Sequence, residues 1–410
     1  MVTRALRPVQ TARHQEKREV LLDAAAALFN ERGVKGANLA DIAAAVGLVT
    51  TSVTYYFRRK EDLAAACLLR SIEAIGALAD EAADEPQLPA RIHRFAARFA
   101  ALLSDIEVGR HPRLILFNDV RALSDAQADA VFSAYTSLFR RVRTLLKTPQ
   151  TAHLAPDEMN ARAHLLLSVI NGFRAWASRY EPDEYQVRMK RVADLLLHGL
   201  PAAGVRWSAR DSVRVRLPLD PPAGTAEAFL RAASQLINDQ GFRGASVERI
   251  AASVNLTKGS FYHHNDTKQD LITACFERSF AAVRDALRQA ELGPGSGWQR
   301  ACAVTQALVR HQMSEAGPLL RWSATSALPD QGHRDDVART IRRLQERTAS
   351  LLAEGMQDGS IRTLDQSIAA QYLLSSINAA AELRRWVRRI DVSSAGELYA
   401  RPVMLGIACA

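Results

Sequence analysis

An all-α fold, built twice over, is what this sequence predicts, and three observations predict it. Helix breakers are scarce: Gly 21 and Pro 15 make 36 of 410 residues, about 9% against a usual total of roughly 12%. Apolar residues recur at helical spacing, as in Val20, Leu21, Ala24 and Leu28, within alanine-rich stretches such as Ala24 to Ala27. The third observation is that the chain contains itself. Segment 17–72 lies on 225–280 without a gap, each residue shifted by 208, with 22 identities in 56 positions. They include Leu22/Leu230, Leu28/Leu236, Gly33/Gly241, Gly36/Gly244, Ile42/Ile250, Val46/Val254, Ser52/Ser260, Lys60/Lys268, Leu63/Leu271 and Cys67/Cys275. A second echo, LLSVIN at 166–171 and LLSSIN at 373–378, falls at nearly the same offset. Both halves are therefore read as whole copies of one two-part unit.

Each copy opens on a small head. In the first, residues 16–32 carry the helical period, and Gly33 is a left-handed cap candidate. Asn38 is placed to cap a second short helix running to Val46. Gly47-Leu48 makes a turn, a third helix runs from Thr50 to about Phe57, and Lys60-Glu61-Asp62 opens a longer fourth helix. The second head repeats the plan: a helix from Thr225, Gly241, Ser246 as cap, the turn Asn255-Leu256 and a third helix from Lys258. Two short helices joined by a tight turn and braced by a first helix form a helix-turn-helix, whose second helix enters the major groove of DNA. The bodies read as helices over 88–106, 112–122, 125–148, 157–180 and 183–199, and over 297–315, 317–327, 334–358, 365–389 and 394–407. Between the copies, the prolines and glycines of 199–224 break any amphipathic period. The expected domains are an arm and first head over 1–76, a first body over 77–200, a linker over 201–224, a second head over 225–284 and a second body over 285–410.

Composition narrows the function. Apolar residues at 48% and charged residues at 24% are the balance of a core-forming protein, which excludes disordered, collagen-like and disulfide-scaffold classes. Four cysteines without C-x-x-C or metal spacing fit a reducing, cytoplasmic setting. A charged N-terminus argues against a signal peptide, and no run reaches about 18 apolar residues, so no membrane partner is expected. The net charge of +9 hints at a polyanionic partner. No phosphate loop, nucleophile elbow or H-E-x-x-H occurs, and His263-His264 has no Cys, Asp or Glu to complete a ligand set. No enzyme, cofactor or metal site is expected.

The heads resemble a known family. GASVERIAASVNLTKGSFYHH followed by Lys268 and Leu271, and GANLADIAAAVGLVTTSVTYYFRRKEDL, are similar to the head of the tetracycline-repressor (TetR) family of bacterial transcription regulators. The resemblance is strong over the heads and weak over the bodies. It implies all-helical homodimers in which a DNA-binding head sits on a ligand-binding body and the last two body helices pair. It also implies DNA contact for Thr50, Thr51, Ser52, Thr54 and Tyr55 in the first head, and for Lys258, Gly259, Ser260, Tyr262 and His263 in the second. Short polar or phenolic groups of this kind reach base edges and phosphate oxygens. Lys60 and Lys268 fall where the family has a phosphate-contacting lysine, and Asn38 and Ser246 bring a helix N-terminus to a phosphate. Val53, Phe57 and Phe261 are expected to pack the heads. Arg4, Arg7, Arg13, Lys17 and Arg18 before the first head, and Arg206, Arg210, Arg214 and Arg216 before the second, are basic leaders able to lie along DNA or to stand as solvated charge.

The two heads depart from the family pattern at Thr51, Thr54, Asn265 and Asp266. The expected function is a ligand-responsive repressor acting on a double-stranded operator. Its two copies would pair through 157–200 and 365–410 as an intramolecular pseudo-dimer, open to further homo-oligomerisation. The departures support one rival, a ligand-binding adaptor whose heads have lost DNA binding. Bulky body residues such as Phe95, Phe99, Phe139, Trp176, Tyr372 and Trp386 suit either an apolar effector cavity or the core, and core is the default.

Overall fold

The computed structural model describes residues 12–117, 123, 125–207, 214–220, 224–255, 267–328 and 330–409. Among them the chain is helical, with one isolated β-bridge between Pro201 and Ile361 and no β-strand. The first copy comprises α1 (Ala12–Gly36), α2 (Leu39–Ala45), α3 (Thr50–Tyr56), α4 (Lys60–Ala83), α5 (Leu88–Glu107), α6 (Asp125–Leu145), α7 (Pro156–Gly172) and α8 (Tyr185–His198). The second comprises α9 (Thr225–Gly244), α10 (Val247–Ser253), α11 (Lys268–Leu292), α12 (Gly297–Gln312), α13 (Gln331–Gln357), α14 (Gln366–Ala379) and α15 (Arg401–Leu405). No single described helix is long and apolar enough to cross a membrane.

The chain divides into two compact units. One is Met1–Ala74 with Asp105–Tyr135, which holds the first head; the other is Ile75–Ser104 with Thr136–Ala410. The larger unit holds the second head together with helices of both bodies.

The α7 helix packs on α14, and α8 packs on α14 and α15. Apolar side chains such as Leu165, Leu166, Ile170, Leu373, Leu374 and Ile377 are buried there. Polar groups fix the register. Buried Arg162 on α7 donates from Nε to the carbonyl of Ile407 (3.1 Å) and from Nη2 to that of Cys409 (2.9 Å). Asn160 donates to the Trp386 carbonyl at 3.0 Å, and His164 Nε2 lies 2.9 Å from the Ala379 carbonyl. Arg191 pairs with Asp365. Two glycines let backbones meet: Leu200 N donates to Met404 O and Ile407 N to Leu196 O. Both Gly199 and Gly406 have positive φ, and a Cβ on either would collide with the facing backbone, at Met404 and Leu197 respectively.

Several body helices end earlier than the sequence pattern suggests. Residues 112–116, expected in a helix over 112–122, form none, and Gly317–Leu320 is likewise non-helical before a 3-10 stretch over Trp322–Ala327. Side chains of neighbouring helices satisfy those backbones instead, so nothing is gained by coiling. The helix expected over 157–180 stops at Gly172 and continues as 3-10 turns. That expected over 365–389 stops at Ala379, and 394–407 holds a π turn (Gly396–Ala400) followed by α15. Phe95, Phe99 and Tyr372 are core, and Tyr372 donates its hydroxyl to Val403 O at 2.8 Å.

Candidate nucleic-acid interface

In the first head α1 kinks at Gly33 (φ 69°) instead of ending there. Asn38 caps α2, its side chain accepting from Asp41 N at 2.8 Å, as its position suggested. Gly47 takes the left-handed conformation (φ 68°) that reverses the chain between α2 and α3. On α3, Val53 is buried, and Phe57, which caps the helix, is buried beneath Arg18, whose guanidinium carbon stands 5.4 Å from the ring centroid. With that face inward, Thr50, Thr51, Thr54 and Tyr55 are exposed and Ser52 is half-buried. Tyr55, 75% exposed, stands at the edge of a small aromatic group with Tyr56 and His14 (centroids 5.1 and 5.9 Å from its own). Thr54 donates its hydroxyl to the Thr51 carbonyl at 3.0 Å, which leaves the lone pairs of its oxygen as acceptors. From Ile42 to Lys60 the chain carries Arg58, Arg59 and Lys60 and no acidic residue.

Lys60 opens α4 but is not a bare surface cation. Its ammonium donates to the Ala37 carbonyl at 2.9 Å, bracing α4 against the turn before α2. Lys268 is held similarly, bonded to the Phe242 carbonyl with its nitrogen 4.3 Å above the Phe242 ring.

The second head repeats these devices as far as it is described. The α9 helix kinks at Gly241 (φ 71°), Ser246 caps α10 by accepting from Arg249 N at 3.2 Å, and the turn residue is Asn255 at φ 55°. Asparagine is the side chain best able to stand in for glycine in that conformation. Lys258, Gly259, Ser260, Phe261, Tyr262 and His263 lie outside the described residues. Of the basic leaders, Arg4, Arg7 and Arg210 also lie outside them. Lys17, Arg206, Arg214 and Arg216 are exposed, and Arg216 is pinned through its backbone, its N–H and carbonyl both bonded to Gln289.

A set of polar residues that sequence reasoning missed is duplicated almost bond for bond. Asn30 donates to Leu114 O (2.9 Å) and accepts from Leu116 N (2.8 Å). Asn238, 208 residues on, donates to Leu319 O (2.9 Å) and accepts from Arg321 N (3.0 Å). Ser71 accepts from Ile115 N and Ser279 from Leu320 N. Arg70 pairs with Glu19 and bonds Arg113 O; Arg278 pairs with Glu227 and bonds Pro318 O. Each set fastens the first and fourth helices of its copy to the non-helical stretch after α5 or α12. The signal was present, since all four side chains are identical between the copies. The thiols follow the same rule: Cys67 lies 3.5 Å from Leu22 O and Cys275 3.5 Å from Leu230 O, both free and buried, with burial pushing each up to about 12.

The repeated head architecture is matched among known proteins. The profile of bacterial regulatory proteins of the tetR family matches residues 21–67 and 229–275, the heart of each head. The Transposon Tn10 TetC protein of Escherichia coli is 28% identical over 74 residues, which is 18% of this chain and 37% of that protein. Among solved structures, the TetR family transcriptional regulator PfmR of Thermus thermophilus is 18% identical, with 46% of this chain and 96% of its own covered and a TM-score of 0.36. A TetR-family transcriptional regulator of Bordetella parapertussis is 19% identical, with 44% and 94% covered and a TM-score of 0.39. Each of these two structures spans a little under half of the chain. Over residues 21–67 and 229–275 both heads thus match the tetR family of bacterial regulatory proteins.

Proposed function

We propose that the protein is a cytoplasmic, sequence-specific, ligand-responsive transcription repressor whose two copies act as an intramolecular pseudo-dimer on one double-stranded operator. The observation that carries this reading is α3: exposed Thr50, Thr51, Thr54 and Tyr55 face outward from a buried Val53 and Phe57, on a stretch free of acidic residues. These side chains read base edges, while Asn38 and Lys60 engage phosphates. In the second head Lys258, Gly259, Ser260, Tyr262, His263, Ser246 and Lys268 have the same roles by their position in the repeat. The packing of α7 and α8 on α14 and α15 supports the pseudo-dimer, because these are the segments expected to pair. An effector acts by shifting the population of head arrangements competent for DNA.

The test is equilibrium binding of the full chain to duplex DNA over a range of salt. A regulator shows a steep fall of affinity with salt and a sequence preference above that background. Flat salt dependence, with no preferred sequence in a random pool, would favour the adaptor reading instead.

A further inference from the structure

The two copies differ where a body of one meets the end of the pairing helix of the other. The buried positions of α6 (Val131, Leu138, Phe139, Val142, Leu145) recur 206 residues later on α13 as Val337, Leu344, Gln345, Thr348 and Leu351. Phe139 therefore answers to Gln345. The pairing helices repeat at an offset of 207, and carrying it on makes Trp386 of the second copy answer to Arg179 of the first. In one place Phe139 and Trp386 stack face to face across the two copies, centroids 3.8 Å apart and planes 10° apart. In the other place Gln345 and Arg179 line an open groove of 890 Å³ that runs along α13 to the start of α14. An aromatic plug has been exchanged for a polar opening.

The lining tells what would fill it. Arg179 and Arg342 share the groove, and their mutual repulsion adds to burial in holding Arg179 below the usual guanidinium range. Two carboxylates also line it: Glu354 is paired with Arg300 at 2.7 Å, and Glu346 stands beside the arginines as an acceptor. Gln345 is only 7% exposed, and its Oε1 is buried without a hydrogen-bond partner. A half-turn of its terminal amide exchanges oxygen and nitrogen, so either can be offered to a guest. We propose that this groove is the effector site, taking a small carboxylate or phosphate that also carries amino or hydroxyl donors. The anion bridges Arg179 and Arg342, a donor satisfies Gln345, and the first and second copies are thereby tied together. This deepens the ligand-responsive reading and rests on it.

The probes are L-glutamate and inorganic phosphate, each titrated against the full chain without DNA and followed by thermal unfolding. At least one should raise the unfolding temperature in a dose-dependent way. Arg342→Ala, on an exposed side chain, should weaken that response about tenfold, the worth of one charge-assisted hydrogen bond. The double variant Arg179→Trp with Gln345→Phe, which rebuilds the plug, should abolish it. Absence of a response in the wild-type chain to both probes overturns the site. So does a response that both variants retain, since the anion would then sit on the basic heads. A parallel DNA titration with the responsive probe separates the readings: groove binding that leaves DNA affinity unchanged overturns the effector role, whereas loss of DNA binding without any probe overturns the regulator.

Discussion

Lys60 illustrates how one side chain carries two duties. Its bond to Ala37 O uses one of three ammonium donors and sets α4 against the turn before α2. Lys60→Ala should therefore cost about 1 kcal/mol of stability in denaturant titration. The same change should lower the salt slope of DNA binding by about one unit on every sequence. An unchanged slope would confine the residue to bracing the head. His164 carries a different charge question. Burial holds its imidazole below the ordinary 6.5, and Arg321 pushes the same way, while the Ala379 carbonyl and Glu382 pull upward; Tyr399 lies against it with ring centroids 6.0 Å apart. A depressed imidazole stays neutral in the folded protein while the unfolded chain takes up the proton. Its contribution is therefore complete above pH 6.5 and is lost as pH falls below that value. His164→Gln, which installs the residue found 207 positions later at Gln371, should flatten the fall of unfolding temperature between pH 7 and pH 5 (about the titration range of an ordinary histidine). His311, also depressed by burial, leaves a residual slope in the same direction.

Among the elements, the duplicated polar clamps matter more than the helices they join. Asn30 and Asn238 each satisfy one carbonyl and one N–H of a non-helical stretch of backbone. Either Asn→Ala change leaves both groups short of a partner and should cost about 1–3 kcal/mol, measured by denaturant unfolding. A cost below a few tenths would mean that water replaces the side chain. The same pairing of side chain with backbone explains why residues 112–116 and Gly317–Leu320 are not helical although their apolar spacing allows it. The close approach of α8 to α15 depends on Gly199. Gly199→Ala forces a collision with Met404 at a positive φ and should lower stability by well over 1 kcal/mol, while Gly204→Ala, at positive φ with open space around it, pays only the backbone strain of about 1 kcal/mol. Equal losses would show that the approach is not tight.

For the molecule as a whole, duplication predicts an asymmetric operator. A homodimer of identical heads reads a palindrome, but here Thr50 corresponds to Lys258, Thr54 to Tyr262 and Tyr55 to His263 in the repeat. Lysine donates to guanine where threonine touches a thymine methyl, so half-sites selected from a random pool should differ. A perfect inverted repeat, bound equally well after changes in one third helix, would sink the pseudo-dimer.

The heads were legible in the sequence because a helix-turn-helix is local. Its caps at Asn38 and Ser246, its turns at Gly47 and Asn255 and its inward Val53 are set by neighbours within a few residues, and the repeat shows each of them twice. The segments that pack as α7 and α8 on α14 and α15 were marked for a related reason, an echo at a nearly constant offset. The clamps were legible only by half: their identity between the copies marks Asn30 and Asn238, but nothing along the chain shows that they meet Leu114 and Leu319 more than eighty residues away. Nor could the polar groove be read along the chain. Gln345 and Arg179 come from different copies, and only packing places a glutamine where its repeat mate Phe139 lies under Trp386. Local stereochemistry is written in adjacent residues, whereas the meeting of surfaces depends on a global fold that no short stretch encodes.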